Sequence, residues 1–213
     1  MLNALDLSLY LVLDPDLCGS PEAMVRTAVL GAANGATVVQ LRAPHWNKRQ
    51  WLETAHALKA ALAPFDVPLI INDQIDIALA VDGEGVHVGQ TDLPVAETRR
   101  LIGPHKILGV SVSNAAELAA VPDGVDYVGI GPVYPTGTKL DAAAATGLPL
   151  FAELVAAARW PVVAIGGINT TNCAPLLLAG AKGIAVVSAI CGQGDPARAT
   201  LLLLERIRSK RAG

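Results

Sequence analysis

Eight short runs rich in Val, Ile and Leu recur along the chain, separated by longer stretches with helical periodicity. They are Leu7–Leu13, Thr37–Leu41, Pro68–Ile71, Gly85–Val88, Ile107–Val112, Tyr127–Ile130, Val162–Ile165 and Ile184–Val187. Each run is apolar almost throughout rather than alternating, as strands are when a parallel sheet is covered on both faces. The helix candidates between them are Pro21–Ala33, Lys48–Ala63, Ile75–Val81, Val95–Ile102, Ala115–Val121, Leu150–Ala158, Thr171–Ala179 and Pro196–Lys210. Ser20-Pro21, Asn114 and Asp195 are start signals, and Gly35, Gly103 and Gly180 are stop signals. Eight units in 213 residues leave about 27 residues each, near the lower limit of a closed barrel at roughly 200 residues. The expected fold is α/β, a (β/α)8 TIM barrel formed by residues 1–213 as a single domain. An open doubly wound sheet would carry a glycine fingerprint after its first strand, where this chain reads DPDLCGS.

Composition excludes several kinds of partner. Lys and Arg number 16 against 19 Asp and Glu, so no basic footprint exists for nucleic acid, and at 4% aromatic the chain has few rings on which bases could stack. Cys18, Cys173 and Cys191 have no metal-ligand spacing and no even-numbered framework, which predicts reduced thiols and a cytoplasmic protein. The N-terminal residues carry Asp6 and Asp14 and no cation before Arg26, the wrong flank for a secretory signal. Trp160 to Ala181 holds no charge, but Pro161, Gly166, Gly167, Asn169 and Pro175 break it into strand, turn and helix rather than a membrane span.

In barrels of this kind function gathers at the carboxyl ends of the strands, and polar residues gather there in this sequence. Asp73 and Asp92, after the third and fourth runs, are hard oxygen ligands of the sort Mg2+ takes with water and phosphate; the alternative is a pair of helix caps or solvated acids. Arg42 and Lys139 at the same mouth suit a pyrophosphate clamp, or else an inter-loop salt bridge. Gly166-Gly167 and the segment Gly183 to Ser188, followed by the last helix, suit a second anion site built from backbone N–H groups, unless the glycines serve only a tight turn. Two anion sites at one mouth suggest two phosphorylated substrates. His87 lies in a strand run, His56 in a helix, and His45 and His105 in loops; none accompanies a serine or cysteine nucleophile, and structural roles are expected for all but His45.

The segments LYLVLD, VVQLR, IINDQIDIALA, GVHVGQTDLP, GVSVSN, DYVGIGPVYPTGTK, AIGGIN and GIAVVSAI, in this order along the whole chain, resemble the thiamine phosphate synthase family. The resemblance implies a (β/α)8 barrel transferase. It would join 4-amino-5-hydroxymethyl-2-methylpyrimidine diphosphate to thiazole phosphate, releasing pyrophosphate and giving thiamine phosphate. By the same resemblance Gln40, Arg42, Asn72, Ser111 and Lys139 contact the pyrimidine diphosphate, with Arg42, Asn72, Ser111 and Lys139 carrying the catalysis. Asp73 and Asp92 hold Mg2+, and Thr136, Thr138, Gly167, Val187 and Ser188 contact the thiazole phosphate. Small-molecule substrates, no nucleic acid and no membrane are the implied partners, with a homo-oligomer left open.

One departure stands out. The family continues QLR with a residue and then Lys, whereas this chain reads QLRAPHW and has Pro44 at that place. Either His45, Lys48 or Arg49 supplies the missing cation or diphosphate binding is weaker, and the expectation is an active enzyme with a raised KM. The rivals are the thiazole tautomerase of the same superfamily, which has a histidine where Ser113 stands here, and a non-catalytic precursor-binding protein. The long segment after the sixth run is expected to close over the substrates.

Overall fold

The computed structural model describes residues 5–137 and 144–211. Eight parallel strands close on themselves in sequence order: β1 Leu9–Leu13, β2 Val38–Leu41, β3 Leu69–Asn72, β4 Gly85–Val88, β5 Ile107–Val112, β6 Tyr127–Ile130, β7 Val162–Ile165 and β8 Gly183–Val186. The seam pairs β1 with β8, with Leu9 opposite Ile184. The fold is a (β/α)8 TIM barrel. Its helices are α1 Pro15–Cys18, α2 Pro21–Ala33, α3 Lys48–Leu62, α4 Ile75–Ala80, α5 Val95–Ile102, α6 Ala115–Ala120, α7 Gly147–Ala157, α8 Ala174–Leu178 and α9 Pro196–Arg211. Among the described residues no helix is long and apolar enough to cross a membrane.

Capping chemistry sets several helix starts. The Ser20 hydroxyl accepts from Ala23 N, Asn114 Oδ1 from Glu117 N and Asp195 Oδ1 from Arg198 N. Asn47 and Gln50 form a reciprocal capping box at α3. The single-turn α1 was not expected, because four residues are too few to show a period. Its signal is Asp14-Pro15, in which Asp14 accepts from Leu17 N and Pro15 begins the turn. Helix α7 begins at Gly147 rather than Leu150, since Pro149 is tolerated in a first turn. Helix α8 is shorter than expected at its start: Asn169 and Asn172 fold the residues before it into side-chain-bonded turns.

Strand residues sort by parity. Leu9, Leu11, Leu13, Val39, Leu41, Leu69, Ile71, Val86 and Val88 pack outward beneath the helices in one large core. Tyr10, Val12, Val38, Ile70, Tyr127, Val163 and Ala185 form a second cluster that fills the lumen. The barrel is therefore a packed core rather than a pore, and the carboxyl ends of its strands build a concave site.

Candidate active site

At those strand ends lies a cavity of about 460 Å³. Its wall includes Gln40, Arg42, Asn72, Asp73, Asp92, Ser111, Thr136, Gly167, Val187 and Ser188, so these expected site residues come together. Thr138 and Lys139 lie outside the described residues.

Asn72 is the last residue of β3 and pairs in register with His87 of β4. Its Nδ2 donates to Asp73 Oδ2 at 2.5 Å, and Asp73 N donates to the His87 carbonyl at 2.9 Å. Asp73 adopts a left-handed φ of 59°, unusual for a residue with a Cβ, so the β3 end carries backbone strain at this wall of the cavity. In the turn after β4, Asp92 Oδ2 accepts from Gly89 N at 2.6 Å. Two carboxylates from neighbouring strands thus face one mouth. Among the described residues no three His, Cys, Asp or Glu side chains gather into a metal-binding group.

Arg42, one residue beyond β2, is half-buried and joins none of the ion pairs between described residues. Pro44 also lines the cavity, whereas His45, Lys48 and Arg49 are absent from its described wall. The Lys48 ammonium is instead held by Asp76 Oδ1 at 2.7 Å and by Gln74 Oε1, tying α3 to the start of α4. That ion pair holds the Asp76 carboxyl below its ordinary range, against the opposing effect of its partial burial.

The glycine pair after β7 has a structural cause. Gly167 has φ of 66°, and a Cβ there would lie 2.6 Å from the Pro135 carbonyl oxygen and 2.8 Å from Tyr134 Cβ. Both the turn and the approach of the β6 loop therefore require glycine. Beyond β8, Ile190 and Cys191 donate to the Val187 carbonyl, forming a turn whose first N–H groups, Ser188 and Ala189, have no protein acceptor among the described residues. Helix α9 starts only at Pro196, and Asp195 already caps it, so the unpaired backbone donors here belong to this turn and not to the last helix.

The floor of the cavity holds three residues to which the sequence assigned no functional role. Tyr10 and Tyr127 are buried, which raises the pKa of both phenols and keeps them neutral. His87, expected to be merely structural, is half-buried in the cavity wall and bonds Tyr127 and Ser111. The signal that could have found them is strand parity: in the observed register His87 faces Gly109, which faces Tyr127.

Comparison with known proteins settles the relationship. A profile of thiamine monophosphate synthase matches residues 9–190. The chain belongs to the thiamine monophosphate synthase family. It is 52% identical to the thiamine-phosphate synthase of Laribacter hongkongensis over 200 residues, covering 94% of this chain and 95% of that protein. Its identity to the Xanthobacter autotrophicus thiamine-phosphate synthase is 47% over 207 residues, covering 97% and 98%. The thiamine phosphate pyrophosphorylase of Pyrococcus furiosus superposes with a TM-score of 0.86 at 33% identity, over 97% of this chain and 98% of that one. For the thiamine monophosphate synthase family, then, this barrel presents a cation, two carboxylates and a glycine turn around one cavity, above a floor of hydrogen-bonded aromatic side chains.

Proposed function

We propose that the barrel mouth binds the pyrimidine diphosphate and the thiazole phosphate together and joins them. As a member of its family the chain is a transferase, a thiamine-phosphate synthase. The observation that carries the site assignment is the half-buried Arg42, with no carboxylate partner among the described residues, in the wall that also presents Asp73 and Asp92.

In this reading the pyrimidine diphosphate lies against β2 to β5, with its diphosphate toward Arg42, Asn72, Ser111 and Lys139 and its ring near Gln40. The bond from the pyrimidine methylene to the diphosphate oxygen breaks, and the thiazole nitrogen forms the new bond to that carbon. Pyrophosphate leaves with the electron pair. No protein nucleophile is needed; the protein must stabilise the departing charge and hold the two substrates in line. Arg42 offers a bidentate fork to the diphosphate. The thiazole phosphate would rest on Thr136, Thr138 and the backbone donors at Gly167, Val187 and Ser188. One barrel, residues 1–213, would suffice for the whole reaction, in the cytoplasm.

Asp73 and Asp92 would hold Mg2+. Asp92 Oδ1 makes no hydrogen bond among the described residues, and a two-carboxylate set leaves the remaining ligands to water and phosphate oxygens, which suits this ion. Bound there, it would neutralise charge on the diphosphate.

The tautomerase alternative is disfavoured at Ser113, where that enzyme would have histidine: Ser113 N and Oγ are both held by Glu117, at 2.7 and 2.9 Å. Incubating the protein with both substrates and Mg2+ should yield thiamine phosphate, and Asp92→Ala should lose at least about a hundredfold in rate, since a metal's charge stabilisation is worth several kcal/mol. Isomerisation of the thiazole carboxylate without condensation would overturn the assignment, and binding of both substrates with no reaction would favour the precursor-binding protein.

A further inference from the structure

Five side chains from five strands form an unbroken hydrogen-bonded chain across the lumen. Gln40 Nε2 on β2 reaches Tyr10 Oη on β1 at 2.8 Å, and Tyr10 Oη reaches Tyr127 Oη on β6 at 2.7 Å. Tyr127 Oη reaches His87 Nδ1 on β4 at 2.8 Å, and His87 Nε2 reaches Ser111 Oγ on β5 at 2.8 Å. The chain begins and ends at the cavity, because Gln40 and Ser111 both line it.

The donor and acceptor inventory gives this chain a direction. The Gln40 amide N–H donates to Tyr10, and the one arrangement that then uses both phenolic protons within the chain sends that of Tyr10 to Tyr127 and that of Tyr127 to His87 Nδ1. A neutral imidazole that accepts at Nδ1 carries its hydrogen on Nε2, and that N–H donates to Ser111 Oγ. Ser111, having accepted from His87, keeps its own proton for the cavity. Gln40 keeps its Oε1 acceptor. In the reverse direction the Ser111 proton would be spent on His87, and the hydroxyl would offer the cavity only lone pairs, which repel an anionic oxygen. Burial keeps both phenols protonated, so each has one proton to give, and the direction is set at Gln40.

We propose that Tyr10, Tyr127 and His87 are positioning residues that make Ser111 an obligate hydrogen-bond donor toward a diphosphate oxygen of the substrate. This rests on the reading of Ser111 as a diphosphate contact. His87 touches the reaction only through Ser111, and the two tyrosines act through His87.

The direction can be read without substrate. In the full-length protein, with histidine labelled by 15N and His87 assigned through a His87→Gln variant, the account requires Nε2 to carry the hydrogen and Nδ1 to appear as an acceptor. An Nδ1–H tautomer in the wild type would overturn the proposal, even if the protein proves to be an active synthase. Kinetics supply the second arm. Ser111→Ala should lower kcat about a hundredfold, the usual cost of one donor to developing negative charge. Tyr127→Phe, which keeps the ring, should mix the His87 tautomers and lower kcat by about tenfold or more. The double variant should be no slower than Ser111→Ala alone, because Tyr127 acts through Ser111, whereas Tyr127→Phe combined with Arg42→Ala should multiply. Multiplicative losses in the Tyr127→Phe/Ser111→Ala pair would sink the positioning role. If no variant or wild type forms product, the synthase reading fails while the tautomer measurement still decides the chain.

Discussion

Gly109, at the middle of β5, leaves the space in which Tyr127 and His87 meet. A Cβ built there would lie 2.2 Å from Tyr127 Cζ, 2.4 Å from its Oη and 2.5 Å from His87 Nδ1, whereas real Cβ contacts stay above 3.0 Å. To reach 3.4 Å, the start of ordinary van der Waals contact, the phenol must retreat by about 1.2 Å. A displacement of that size breaks the 2.8 Å bond to His87 and the 2.7 Å bond to Tyr10. Overpacking of a core costs about 1–3 kcal/mol, and leaving a buried polar group unsatisfied costs about 1–3 kcal/mol more. Gly109→Ala should therefore lose about 2–6 kcal/mol out of a total stability on the order of 5–15 kcal/mol. At about 2–4 °C per kcal/mol for a chain of this size, Tm should fall by roughly 5–20 °C. Differential scanning calorimetry, with Gly194→Ala as the control because no heavy atom lies within 4 Å of its Cβ position, reads this directly. Equal Tm values for the two variants would refute the packing account of the chain.

Further expectations concern the mouth and the thiols. Arg42→Ala should reduce kcat/KM by about a hundredfold or more, because a charge-assisted bidentate contact is lost, and Arg42→Lys should recover only part of it; full recovery by Lys would deny the forked contact. Pro44→Lys should lower the KM for the pyrimidine diphosphate by about ten- to a hundredfold, as one added charge-assisted hydrogen bond is worth roughly 1.5–3 kcal/mol. Replacing His45, Lys48 and Arg49 by alanine should leave that KM nearly unchanged, since none of them is in the described wall of the cavity; a steep rise would restore the compensation idea. Cys18 is half-buried, and the neighbouring Cys191 thiol lowers its pKa below the ordinary thiol value, while the Cys18 contact and burial push Cys191 up and burial pushes up Cys173. Alkylation of the folded protein should modify Cys18 first, with the rate rising with pH as its thiolate forms, at lower pH than for an ordinary thiol; peptide mass mapping that finds Cys173 or Cys191 labelled first would contradict this.

The barrel was legible because its strands are buried on both faces, which writes each as a solid apolar run; β4, β5, β6 and β7 lie where Gly85–Val88, Ile107–Val112, Tyr127–Ile130 and Val162–Ile165 place them. The same feature hid the floor of the site. In a run such as Leu9–Leu13 nothing distinguishes Tyr10, which faces the lumen, from Leu9 and Leu11, which face the helices, until the barrel closes and sets the parity. His87 was hidden for the same reason, since a lone histidine in a strand shows its role only when Tyr127 and Ser111 arrive from β6 and β5. Loop polarity was a better guide. Arg42 and Asp73 follow their strands immediately and so reach the cavity by connectivity alone, and Asp92 comes one short turn after β4. The reach of Lys48 was not legible, because its partner Asp76 comes from the next unit of the barrel.

The central claim is that this mouth couples breakage of a diphosphate ester to bond formation with the thiazole. Following pyrophosphate and thiamine phosphate together, from purified protein, both substrates and Mg2+, tests it most directly. The two products should appear in equal amounts, and both should fall together in Asp73→Ala and Asp92→Ala. Pyrophosphate appearing without thiamine phosphate, or both alanine variants keeping the wild-type rate, would contradict it.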